Sequence, residues 1–204
     1  TYRAADYPST YYALSDLDLD LYRESDNVLI DVDNTVSDNV QQVRIGAGAG
    51  ATATVIKAYA YSTNFPHGGT TETYALATEE NFTEAPLPGD FQGWAWWPGE
   101  MEPNEEADFY FWLANNSQLA SHNNQFDLML PAGWTRISGA DPYSAGSIAV
   151  GAQSSTVTWR LRAQPTTQDG VTITSRHTHN SYGEAWGPFD WWMVMTRTPA
   201  VGVS

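Results

Sequence analysis

Apolar and polar residues alternate with a period of two over much of the chain. In Ser15-Asp-Leu-Asp-Leu-Asp-Leu-Tyr-Arg23, leucine and aspartate change places three times. In Ala107-Asp-Phe-Tyr-Phe-Trp-Leu-Ala-Asn115, Phe109, Phe111 and Leu113 fall on one side and Tyr110 and Trp112 on the other. A period of two belongs to strands, whose successive side chains point to opposite faces. No stretch repeats apolar residues at i, i+3, i+4 and i+7, so helices are not expected. The pattern predicts strands over residues 17–23, 28–32, 41–45, 53–61, 71–77, 92–97, 107–114, 125–130, 135–137, 146–150, 155–163, 171–177 and 190–196. Gly, Pro, Asn and Asp separate them, as in antiparallel all-β architectures.

Glu84-Ala-Pro-Leu-Pro-Gly-Asp90 breaks the series, because prolines cannot donate to a central ladder. Composition shifts at the same place: eight of the 14 aspartates precede Phe65, and all nine tryptophans follow Asp90. The reading is two consecutive antiparallel β-sandwiches, residues 1–85 and 86–204. Gly46-Ala-Gly-Ala-Gly-Ala51 is too short for a fibrous repeat and is expected to be a loop.

Charge narrows the function. The net charge is −15, with 24 acids against 9 bases. Nucleic acid and anionic membranes both call for a basic patch, so neither is an expected partner. No apolar run approaches the ~20 residues of a membrane span. There is no cysteine, which rules out disulfides and thiolate zinc sites. The sequence opens at Thr1 with neither Met nor a leader, and is expected to be a processed or excised piece.

The aspartate ladder begins like an EF-hand. Loop positions 6 and 12 would then hold Leu21 and Asn27 rather than Gly and Glu, so that motif fails. As a strand, the segment should turn Leu17, Leu19 and Leu21 to a core and Asp16, Asp18 and Asp20 to water. Calcium held by Asp16, Asp18, Asp20 and Asp33 is the competing reading.

The span from Ala5-Asp-Tyr-Pro-Ser through Asp-Leu-Asp-Leu-Asp-Leu-Tyr, Asp38-Asn-Val-Gln-Gln-Val-Arg-Ile, Ala53-Thr-Val-Ile-Lys-Ala-Tyr and Tyr74-Ala-Leu-Ala is similar to a β-sandwich found behind the catalytic domain of bacterial subtilisin-like serine proteases. It also resembles the related pre-peptidase C-terminal domain. The resemblance implies a jelly-roll-like sandwich over residues 1–85 whose first strand or strands lie before Thr1. It departs from the pattern at Gln41, where Glu is usual, and at Thr52 and Ala53, which replace a tyrosine-bearing turn. It further implies a secreted, bacterial-type location and an upstream protease domain of the same precursor as partner.

In the second half, Leu130-Pro-Ala-Gly-Trp134 and Gly151-Ala-Gln-Ser-Ser-Thr-Val-Thr-Trp159 resemble Ig-like domains appended to bacterial secreted hydrolases. Trp94, Trp96, Trp97, Trp186, Trp191 and Trp192 lie near the two ends of this half, in stretches expected to pair as neighbouring strands. Exposed indoles stack on sugar rings or apolar partners, whereas buried ones fill a core. Trp94 and Trp96 should share a face that Trp97 opposes.

His177-Thr-His179 has a spacing metals use, with Glu184, Asp190 or His122 as possible third ligands. Nothing fixes that third ligand, and a surface or interface pair is the expectation. No nucleophile elbow, subtilisin-type serine segment or phosphate loop is present. Glu100, Glu102, Glu105 and Glu106 share one Pro-rich loop and are expected to be solvated. The chain is therefore expected to be non-catalytic. Two functions stand: an accessory region of a secreted subtilisin-like protease, serving stability, substrate positioning or maturation, or a module binding polysaccharide or a cell surface.

Overall fold

The computed structural model describes residues 16–34, 41–46, 53–62, 75–78, 81–166 and 170–195. The described residues are all-β, with no helix among them. Two compact units divide the chain, Thr1–Glu84 and Ala85–Ser204.

In the first unit, β1 (Asp16–Arg23), β2 (Leu29–Asp33) and β3 (Thr54–Ser62) form an antiparallel sheet in the order β2-β1-β3. The expected strand over 41–45 is not formed. Its alternate backbone N–H groups are taken by side chains instead of a neighbouring strand. The Gln42 amide donates to Asp33 Oδ2 at 2.6 Å and the Arg44 amide to Asp31 Oδ2 at 2.7 Å. Most of the expected strand over 71–77 lies outside the described residues.

The expected facing of β1 is reversed for its acids. Asp18 and Asp20 are only 3% and 8% exposed, while Leu17 and Leu19 are half-buried. Only Leu21 is fully buried on the leucine side. The cause lies in the register. Asp18 stands opposite Tyr59, Asp20 opposite Lys57, and Tyr22 opposite Val55. Tyr22 Oη donates to Asp20 Oδ2 at 3.0 Å. Partial burial, and then the charges of Asp20 and Asp18, raise the Tyr59 phenol above its usual value. Phenols that stay protonated can donate to carboxylates, and hydrogen-bonded acids can be buried where bare ones cannot.

The second unit begins with β4 (Phe91–Trp96) and β5 (Glu106–Asn115), followed by β6 (Ser121–Met129), β7 (Thr135–Ser138) and β8 (Tyr143–Ile148). It ends with β9 (Val157–Arg162), β10 (Val171–Ser181) and β11 (Glu184–Met195). Two four-stranded sheets result, β4-β5-β9-β7 and β11-β10-β6-β8. Their inner faces meet in one core. Phe109, Phe111, Leu113, Val157, Trp159 and Leu161 come from one sheet; Phe126, Leu128, Ile148, Val171, Ile173 and Met193 come from the other. This is a β-sandwich, and the alternation along β5 and β9 sets which side faces in. Fully burying each such side chain contributes about 1.5–3 kcal/mol before entropy is counted.

β11 starts six residues before the predicted strand, because Gly187-Pro188 reads as a turn. It lies at the sheet edge, where a proline's missing N–H breaks no ladder.

Candidate functional site

The six tryptophans do not form one cluster. β4 and β11 are edges of different sheets and do not pair, contrary to the sequence expectation. They meet across the sandwich, where the Phe91 and Phe189 rings lie 6.2 Å apart and tryptophans make two further contacts. Trp97 Nε1 donates to the Val194 carbonyl at 3.0 Å, and the Trp191 ring lies against Gly93 so closely that a Cβ there would overlap it. Trp97 and Trp191 are half-buried against the core. Trp186 is half-buried and stacks on His179 at 6.3 Å with the rings 5° apart. Trp192 faces outward on β11 and is 69% exposed.

Trp94 and Trp96 point the other way from Trp97, as the alternation predicts, and are 45% and 57% exposed. The β4–β5 register sets Trp94 opposite Trp112 and Trp96 opposite Tyr110. The Trp96 and Tyr110 rings meet edge to face, 5.5 Å between centroids. Trp112 was not singled out in the sequence as part of a surface. The signal was there in its alternation with Phe111 and Leu113, but its partner strand was not. Four aromatic rings thus occupy the outer face of one sheet edge.

A charged border adjoins them along the same strands. On β5 and β9, Glu106 accepts from Arg160 and Arg162, and Asp108 accepts from Arg160 Nη1 at 3.2 Å. Hydrogen bonds from the two arginines hold the Glu106 carboxyl below its usual range. These acids and bases are matched to one another, and the aromatic rings lie beside them.

The histidines are interior. His122, His177 and His179 are buried, not surface groups. The His177 and His179 rings stack 5.5 Å apart, with Phe91, Phe126 and Phe189 around them. His177 Nε2 is 2.9 Å from Asn124 Oδ1, and His179 Nδ1 is 3.0 Å from Ser181 Oγ. Burial, and then the neighbouring His179, pushes His177 down to about 3. Burial pushes His179 down to about 4, with the Pro88 carbonyl pulling up and His122 pushing down. His122 Nδ1 is 2.9 Å from Ser147 Oγ, a hydroxyl on the edge strand β8.

Among the proposed calcium ligands, Asp18 and Asp20 share one side of β1. Asp33 pairs with Leu19, so it belongs to the opposite side. The Asp16 side chain lies outside the described residues. Among the described residues, no group of three or more His, Asp or Glu is placed to hold a metal ion. Of the loop acids, Glu105 caps the Glu102 amide at 2.7 Å, and Glu106 belongs to the ion-paired ladder. Among the described residues no helix is long and apolar enough to cross a membrane. No family model and no curated protein matches the chain.

Proposed function

We propose that this chain is a non-catalytic accessory region of a secreted subtilisin-like serine protease. In this reading the Ala85–Ser204 sandwich holds the substrate. The observation that carries substrate holding is the outward aromatic face made by Trp94, Trp96, Tyr110 and Trp112. Soluble domains rarely leave several large rings together on an open sheet unless a partner covers them. The protease connection is supported by the similarity around Asp16–Arg23. An Ig-like form for the second unit is supported by the strand order: β4-β5-β9 faces β11-β10-β6 in the way strands A-B-E face G-F-C in that fold.

The test is to read the coding sequence upstream of Thr1 and express the whole product. A serine-protease domain there, with inhibitor-sensitive activity, is the expected result. Replacing Trp94 and Trp96 by Ala should then slow hydrolysis of an insoluble protein while leaving a short peptide substrate unaffected. Lack of a protease domain upstream overturns the accessory reading. The exposed indoles also favour a second reading, a module for polysaccharide or cell surfaces, because indole faces stack on sugar rings. Retention on an insoluble polysaccharide, in a product without protease activity, is its signature.

A further inference from the structure

The outer face of the other sheet carries a different chemistry. A groove of about 310 Å³ lies there, near the lower end of the ~300–1,000 Å³ of small-molecule sites. Its lining includes Asn123, Gln125, Thr178, Asn180, Ala185 and Pro188. The strand register assembles it. Thr178 pairs with Gln125 across β10 and β6, and Asn180 pairs with Ala185 across β10 and β11.

The local backbone is unusual. β6 is irregular between Ser121 and Gln125, and Asn123 within it adopts φ 52°. Tyr182, in the turn from β10 to β11, also has φ 52°. A left-handed conformation is strained for a residue with a side chain and persists only when its surroundings impose it. Here they do: the His122 amide donates to Ser181 Oγ, Tyr182 Oη donates to the Ala120 carbonyl, and Asn123 Nδ2 donates to the Asn180 carbonyl. The irregular stretch turns Asn123 outward beside Asn180, and the groove is formed before any ligand arrives.

His179, Trp186 and Gly187 complete the lining, which thus has amides, a hydroxyl, apolar carbon and an indole, and no acid or base apart from a neutral imidazole. The next row along the strands holds Arg176, gripped by Asp190 through two bonds of 2.8 and 3.0 Å and paired in register with Asp127. That charge is already matched, so an anionic ligand gains nothing there. One row further, Thr174 lies between Trp192 and Met129, both exposed. Thr174 and Thr178 are four positions apart along β10, about 14 Å. An indole face for stacking and a neutral amide groove thus lie along one line.

We propose that the outer face of β6, β10 and β11 binds a short neutral oligosaccharide. Its hydroxyls bond to Asn123, Gln125, Thr178 and Asn180, and a ring further along stacks on Trp192. This site stands apart from the Trp94–Trp96 face and does not depend on it.

The test titrates the ¹⁵N-labelled full chain with neutral oligosaccharides of one to four units from cellulose, starch and chitin. Trimers of galacturonate and a soluble Gly-Ser peptide serve as controls. The expected result is saturable shifts of the Asn123, Gln125 and Asn180 side-chain amides with at least one neutral series. Trimers of that series should bind at least tenfold more tightly than the monosaccharide. Trp192→Ala should erase the advantage of length, and Ala185→Trp, which fills the groove, should abolish binding. Trp94→Ala/Trp96→Ala should change neither. The proposal is overturned if no neutral series shifts these amides at millimolar concentration, or if shifts persist in Ala185→Trp. Equal binding of galacturonate, or binding of the peptide alone, also overturns it.

Discussion

At the scale of single residues, burial is decided by partners that local sequence does not reveal. Asp20 is tolerated inside because Tyr22 donates to it and Tyr59 leans on it from β3. Asp20→Ala should destabilise the first unit by about 1–3 kcal/mol, since buried donors lose their acceptor. Asp20→Asn, which keeps an acceptor oxygen, should cost less. Hydrogen exchange of β1 and β3 amides checks both, because this unit has no tryptophan to follow. Gly93 poses the reverse problem, with no room for a side chain under Trp191. Gly93→Ala should cost about 1–3 kcal/mol through overpacking, and thermal unfolding followed by tryptophan emission reads it. An unchanged midpoint would mean that the Trp191 ring moves aside freely.

At the scale of elements, alternation is legible where one face is uniformly apolar. β5 shows this: Phe109, Phe111 and Leu113 went inward as their spacing required, and Tyr110 and Trp112 went outward. In β1 both alternating sets are cohesive, leucines on one side and hydrogen-bonding acids on the other. Periodicity divides the faces there without saying which is covered. The 41–45 stretch failed as a strand because Asp31 and Asp33 outcompeted a ladder for its amides, a contact between residues nine and thirteen apart in sequence. β10 is the element with the clearest chemical consequence. Its His177 and His179 are held neutral, at about 3 and about 4, whereas imidazoles of an unfolded chain titrate near 6.5. Above pH 7 both states are neutral and the pair has no pH effect. As pH falls below 6.5 the unfolded chain takes up protons first, and stability drops by up to about 1.4 kcal/mol per pH unit for each histidine. The drop should already be measurable between pH 6.5 and 5, above the carboxylate range. Denaturant unfolding of the second unit should show it, and His177→Phe with His179→Phe should flatten the slope. A flat wild-type profile in that window would contradict the neutral buried pair.

At the scale of the whole molecule, the division of labour follows composition. Eight of the 14 aspartates lie in the first unit and all nine tryptophans in the second, so tryptophan emission reports on Ala85–Ser204 alone. Pro86, Pro88 and Gly89 interrupt the strand pattern next to the division between Glu84 and Ala85. The arrangement of the tryptophans was only half legible. Tryptophans near the ends of the second half suggested one platform, but β4 and β11 belong to separate sheets, which divide the rings into inward and outward sets. Their separation produces two outer faces of different character, one aromatic and one amide-lined with Trp192 exposed further along it. The aromatic face is the surface proposed to hold a ligand. The most direct measurement is retention of the full chain on insoluble proteins and polysaccharides, beside Trp94→Ala/Trp96→Ala with a matched unfolding midpoint. The wild type should be retained on at least one of these polymers, and the double variant should wash through. Equal retention of both, or retention of neither on any polymer, would contradict it.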